Sequence, residues 1–347
     1  VASAVRIGVA LALLALFAGG ASAGSVRRLE PYKPSSVNLV VPGGTFREGH
    51  VRPDRAKHVL DSPPVAYRTA DGMTVYISFS DSYTPDPAAA QTYVDLLGSY
   101  THKNELNGLR LFIYTPAEIG AVCGTNAVAC YGNDRMFVSG TPVAGDPPVE
   151  QVLAHEYGHH IASHRLNPPW PAVDWGPKHW ANRMSVCKYT AAGLMFPGDE
   201  GVHYAQNPGE GWAEGYRKLI QVNLGWADIG WNIVGDFFDP NPGALQLIDL
   251  DVTRPWQHST KFVANGKLKR GGVRRYKRRS LYDGPVTARV TGPRGTTVSL
   301  SVGGKVVRAP ARRVSGVNCG LSSLTVVVRS KLGGRYHLVE TQDDENG

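Results

Sequence analysis

Sulfur is scarce in this chain: its 347 residues hold four cysteines and four methionines. No two cysteines stand as C-x-x-C, the spacing that thiolate zinc sites and thioredoxin-like redox pairs use. Beyond residue 24 no G-x-S-x-G occurs, so no serine takes the place of a hydrolase nucleophile on a strand-to-helix elbow. No apolar run reaches the roughly 20 residues that a membrane-spanning helix needs. A repeat of fixed period is missing as well, which argues against solenoids and propellers. Acid is nearly missing from one stretch, residues 258–339, where 18 Lys and Arg face Asp283 alone.

What is there divides by charge. The net charge is +8, yet outside 258–339 the chain carries 19 bases and 28 acids. Opposite signs in two parts of one chain point to two domains with different tasks. The first residues form a third part. Arg6 supplies positive charge, Ile7 to Ala18 is apolar throughout, and Ala21-Ser22-Ala23 offers small residues for cleavage. That is the pattern of a signal peptide over 1–23, so the expectation is a secreted, extracellular protein with no membrane span after cleavage. In an exported chain four cysteines read as two disulfides. Cys123 and Cys130 bracket the short CGTNAVAC loop and are expected to pair, which leaves Cys187 with Cys319.

Periodicity fills in the organisation. Residues 24–66 are rich in Pro, Gly and Arg and read as a loosely structured lead-in. MTVYISFS (73–80) and GLRLFIYT (108–115) read as strands, with a helix between them that starts at Asp86-Pro87. CYGNDRMFVSG (130–140) reads as a hairpin turning at Asn133-Asp134. PPVEQVLAHEYGHHIASHR and PGEGWAEGYRKLIQVNLG read as amphipathic helices, and residues 167–208 between them as a long ordered loop with room for one helix. After DFFDPNPG the chain turns to short alternating segments separated by Gly-rich turns, the signature of a small β-sandwich. The predicted fold is α+β. A mixed sheet with an active-site helix and a helical second half spans 67–257, and a basic β-sandwich follows over 258–347.

AHEYGHHIASH (154–164) carries the chemistry. On a helix His155 and His159 lie four apart on one face, so two imidazoles can converge on one ion. Glu156 points about 100° away, where a carboxylate can take a proton from water. With 11 His in 347 residues, about 0.01 such motifs are expected by chance, which leaves the coincidental reading weak. Two histidines hold zinc poorly, so a third ligand is needed. A histidine in the register H-E-x-x-H-x-x-G-x-x-H is absent, because Ala162 and Arg165 stand at those places. Glu210 and Glu214 in NPGEGWAEGYR supply carboxylates four apart on a later helix; one can ligate while the other accepts a bond from a ligand histidine.

HEYGH followed by GEGWAEGYR resembles the gluzincin zinc metallopeptidases, in particular secreted actinobacterial members with HEYGHH and NPGE-x-x-AE-x-YR. The resemblance covers roughly residues 73–226. It implies a zincin-like domain with Zn2+ on His155, His159 and Glu210, Glu156 as general base, and Glu214 holding a ligand histidine. It further implies that the strand before the active helix, Arg135, Met136, Phe137, Val138 and Ser139, pairs with the backbone of a protein or peptide substrate. The gap from His159 to Glu210 is longer than in the best-known members, and the loop filling it is unlike theirs. Tyr204 and His203, just before Glu210, are the candidates to donate a hydrogen bond to a developing oxyanion. His160 and His164 lie on another face and read as ordinary polar helix residues.

The expected function is that of a secreted zinc-dependent endopeptidase working through a zinc-activated water. Two alternatives share the sequence: a zincin-like binding protein without turnover, and a zinc amidase acting on non-protein bonds. KLKRGGVRRYKRR (267–279) places eight bases in 13 residues. It reads either as exposed strand edges that discourage pairing or as a patch for an anionic cell-surface polymer. No interleaved aromatics accompany it, so nucleic acid is not the expected partner.

Overall fold

The end of the expected lead-in is already a strand. Val65–Arg68 (β1) pairs antiparallel with Thr74–Phe79 (β2), in which Val75 and Ile77 are buried and Tyr76 faces out. The computed structural model describes residues 61–125, 127–142, 145–229 and 233–344, all within one compact unit, Tyr32–Gly347. The expected leader over 1–23 and most of the lead-in lie outside the described residues.

Helix α1 (Pro87–Ser99) starts at Asp86, whose carboxylate accepts from the Ala88 N–H at 2.9 Å. Strand β3 (Arg110–Tyr114) leads into α2 (Pro116–Val122), which opens with a reciprocal Thr115–Glu118 capping box. Strands β4 (Ala129–Gly132) and β5 (Arg135–Ser139) form the expected hairpin. Its two-residue turn holds Asn133 at φ 52° and Asp134 at φ 59°, the left-handed pair that a type I′ turn requires. The sheet runs β1-β2-β3-β5-β4, parallel from β2 through β5 and antiparallel at both ends.

Helix α3 (Val149–Ser163) packs between this sheet and a later helix, and 12 of its 15 residues are buried. The segment expected as a long loop has more structure than its composition suggests. It holds a ribbon of Leu166–Asn167 (β6) and Trp170–Pro171 (β7), then α4 (Ala172–Trp175), α5 (Lys178–Arg183) and α6 (Val186–Ala191). The cause is tertiary: Asp251 accepts from the N–H groups of His179 and Trp180, at 3.1 and 2.8 Å, at the start of α5. Asp251 belongs to α8 (Pro242–Thr253), after α7 (Pro208–Leu224).

Strands β8 (Thr260–Leu268), β9 (Val273–Ser280), β10 (Gly284–Thr291), β11 (Thr296–Val302), β12 (Lys305–Val306), β13 (Arg313–Asn318), β14 (Ser322–Ser330) and β15 (Gly334–Gln342) complete the chain. They form two antiparallel four-stranded sheets, β13-β10-β15-β8 and β12-β11-β14-β9, around Val286, Val290, Leu300, Val326 and Leu338. The basic segment 267–279 runs from β8 into β9, which is an edge strand. The broad α+β-then-sandwich order matches the expectation.

Cys123 pairs with Cys130 and Cys187 with Cys319, as expected. The second bridge spans 132 residues and ties α6 to the sandwich. Beside it the buried Lys178 ammonium meets the Asp343 carboxylate at 2.7 Å and the Asp283 carbonyl at 2.8 Å. Among the described residues no helix is long and apolar enough to cross a membrane.

Candidate metal centre

Two helices cross closely enough to bring the motif residues together. A Cβ added at Gly158 of α3 would lie 2.8 Å from the Ala213 Cα of α7, so only a glycine admits this approach. Trp212 seals the crossing, donating its indole N–H to the Gly158 carbonyl at 2.9 Å. At the start of α7 the Asn207 side chain accepts from the Gly209 N–H at 3.0 Å and from Gly198 at 3.1 Å. This cap and Pro208 fix the first turn, where Glu210 sits.

Three ligand atoms meet there. His155 Nε2 lies 3.3 Å from Glu210 Oε2 and 3.3 Å from His159 Nε2, and His159 Nε2 lies 3.5 Å from the same carboxylate oxygen. All three residues are buried, none more than 5% exposed. Glu214 Oε2 is 3.4 Å from His155 Nδ1, so the proton of that imidazole sits on Nδ1 and a lone pair on Nε2 faces the cluster. His155 Nε2 and the Glu210 oxygen are both acceptors, and at 3.3 Å a cation between them relieves their repulsion. Donors bound at 2.0–2.1 Å around a tetrahedral zinc lie roughly 3.3–3.4 Å apart, so the residues present fit a metal of that class.

The support extends one layer outward. The fully buried Arg217 grips both oxygens of Glu214, at 2.9 and 2.7 Å, and also donates to Gln221 at 2.8 Å and to Gln151. The bidentate pair holds Glu214 aimed at His155. Arg217 closes the NPGE-x-x-AE-x-YR pattern and stands three residues after Glu214 on the same helix, whereas Gln151 lies outside any motif.

The remaining predicted residues divide. Glu156 is buried beside His155 in sequence, 1% exposed. Tyr204 comes to the centre, its hydroxyl donating to Glu210 Oε2 at 2.7 Å. His203 does not: its Nδ1 pairs with Asp199 at 2.7 Å and its ring stacks on Phe196. The expectation that Arg135, Met136, Phe137, Val138 and Ser139 pair with substrate fails. Strand β5 is bonded to β3 on one side and β4 on the other, so it has no edge to offer. Ala129 and Cys130 of the terminal strand β4 are themselves fully buried. His160 is not an ordinary surface residue either. It is 1% exposed, and burial pushes its imidazole down to about 4.

No family model matches this chain, and no curated protein does. Among solved structures, the periplasmic inhibitor of g-type lysozyme PliG from Aeromonas hydrophila aligns at 10% identity. It covers 24% of this chain and 87% of its own, with a TM-score of 0.21. FlhE aligns at 14% identity over 25% of this chain and 100% of its own, with a TM-score of 0.17. At such scores neither likeness bears on the fold or the task of this protein.

Proposed function

We propose that this chain is an exported zinc-dependent endopeptidase of the zincin type, with His155, His159 and Glu210 as its metal ligands. The observation that carries the reading is the triangle of possible ligand atoms at 3.3–3.5 Å, a donor set of two imidazoles and one carboxylate. Such a set is the one catalytic zinc sites use with a position left open. When bound, the ion supplies Lewis acidity toward water and the scissile carbonyl. The chain's own groups do the rest. Glu156 takes a proton from the attacking water on its carboxylate and returns it to the leaving amine. Glu214, locked by Arg217, keeps the His155 lone pair on Nε2. Tyr204 holds one oxygen of Glu210 and stands next to the reacting centre. The two disulfides fit maturation in an oxidising compartment.

The test is hydrolysis of casein and of a peptide library by the purified chain, with a zinc chelator and after adding zinc back. Cleavage should disappear with chelator and return with zinc. Glu156→Gln should keep its zinc and lose about 10²–10⁴-fold in kcat. A zinc-loaded chain that cleaves neither substrate, or a Glu156→Gln variant with undiminished turnover, overturns the assignment.

A further inference from the structure

A second histidine pair stands at the end of α3 and on its cap, five residues beyond the first. His160 and His164 repeat the spacing of His155 and His159, rotated about 140° around the helix axis, so the two pairs address different surroundings. Asp134 from the β4–β5 turn completes a group in which one ligand atom from each residue lies within 4.8 Å of the other two. Asp134 Oδ1 is 3.8 Å from His160 Nδ1 and 3.6 Å from His164 Nε2.

Hydrogen bonds settle both tautomers. His160 Nε2 meets the Glu105 carbonyl oxygen at 2.7 Å, so it carries the proton and leaves a lone pair on Nδ1. His164 Nδ1 meets the His160 carbonyl oxygen at 2.9 Å, which leaves the lone pair on Nε2. An imidazole whose outer nitrogen donates to a carbonyl while its inner nitrogen faces a carboxylate is oriented as metal-binding histidines are.

Within the protein few donors serve the acceptors gathered here, although water also reaches Asp134 and His164. The Tyr131 hydroxyl lies 3.1 Å from Asp134 Oδ1, 3.1 Å from His160 Nδ1 and 2.8 Å from Ser163 Oγ. It has one hydrogen to give. The Ser163 hydrogen is directed to the His160 carbonyl at 2.8 Å. A single cation answers the carboxylate and both imidazole lone pairs together.

We propose that Asp134, His160 and His164 form a second metal site, for a divalent transition ion of the zinc class, independent of the His155–His159–Glu210 centre. Two imidazole nitrogens with one carboxylate suit zinc and its neighbours, whereas calcium and magnesium take oxygen ligands. Two ligands come from the last turn of α3 and its cap, and the third from a hairpin turn whose left-handed backbone sets Asp134 in place. A bound ion therefore ties the sheet's terminal hairpin to the end of the helix that carries the first centre.

Zinc content per chain tests this, measured by equilibrium dialysis and elemental analysis on the full chain. Wild type is expected to hold two ions, His164→Ala/Asp134→Asn one, and Glu210→Gln one. Asp134 and His164 are exposed, so the double variant should keep the fold, checked by circular dichroism. Calcium in excess should displace neither ion. One ion in wild type and still one in the double variant overturns the proposal, as do two ions retained by that variant. One ion in wild type that the double variant loses would uphold this site and count against the His155–His159–Glu210 reading.

Discussion

Two buried glutamates, Glu214 in the α+β half and Glu340 in the sandwich, are housed in opposite ways. In the α+β half Glu214, Asp251 and Glu105 each meet nitrogen. Glu214 has Arg217 and His155, and Asp251 has two backbone N–H groups and His179. Burial pushes Glu105 up, but Arg165 at 3.1 Å and the Lys103 N–H outweigh it and hold the carboxyl below its ordinary range. In the sandwich half Glu340 is fully buried, neither oxygen has a hydrogen-bond partner among the described residues, and the nearest cation, Arg278, is 3.7 Å away. Burial raises Glu340 to about 7 and Asp283 to about 6. Asp283 has the Gly320 N–H and Asp343 the Lys178 ammonium, so it is at Glu340 that burial of charge is a cost to stability that the basic exterior does not relieve.

Removing the organising cation should break this contrast most sharply. Arg217→Met replaces a buried guanidinium by an apolar chain of similar length and leaves Glu214 without its bidentate partner. Breaking a buried pair from one side costs about 3–5 kcal/mol, read by chemical denaturation. Because Glu214 then no longer fixes His155, zinc affinity should fall about 10–100-fold. Unchanged affinity would mean that His155 is oriented by something other than the Glu214–Arg217 pair.

The sandwich gives the reverse result. The Glu340 carboxyl rises from an ordinary 4.5 to about 7. Between those values the folded chain holds a proton that the unfolded chain has released, so stability falls as pH rises through the window and levels off above about 7. The fall amounts to roughly 3 kcal/mol. Glu340→Gln should therefore match wild type near pH 4.5 and exceed it by about that amount at pH 8. A variant less stable than wild type at pH 8 would show that the ionised carboxylate is held by Arg278 after all.

How much of this was legible in the sequence follows from what is local. The His155–His159 pair is readable because four-residue spacing is a property of one helix, and the Asn133-Asp134 turn because its left-handed backbone has a residue signature. Two helices outside the sequence reading, α2 and α8, also carry local start signals, Thr115-x-x-Glu118 and Asn241-Pro242. Helix α5 does not, because its cap is Asp251 from far along the chain. The substrate pairing that the resemblance implies for β5 fails for the same reason: which strand ends a sheet is decided by topology, not by the composition of the strand. The link from Arg217 to Gln151 and the Asp134–His160–His164 group are likewise products of tertiary contact.

Glycines test whether packing or charge sets the difference between the halves. Gly158 and Gly316 each have a neighbour close to where a Cβ would stand, but the neighbours differ. At Gly158 the obstacle is the Ala213 Cα at 2.8 Å, backbone that cannot turn aside; at Gly316 it is a Val307 methyl at 2.6 Å, a side chain that can. Gly158→Ala should therefore cost about 1–3 kcal/mol, as overpacking does. It should also separate α3 from α7, and Glu210 rides on α7 while both histidines ride on α3. Zinc affinity should drop with stability, although no ligand has been touched. Gly316→Ala should cost less and leave zinc binding as it was, since the sandwich contributes no ligand to the centre. If Gly158→Ala lost stability but bound zinc as wild type does, the close crossing would serve the core alone, and Glu210 would reach the histidines without it.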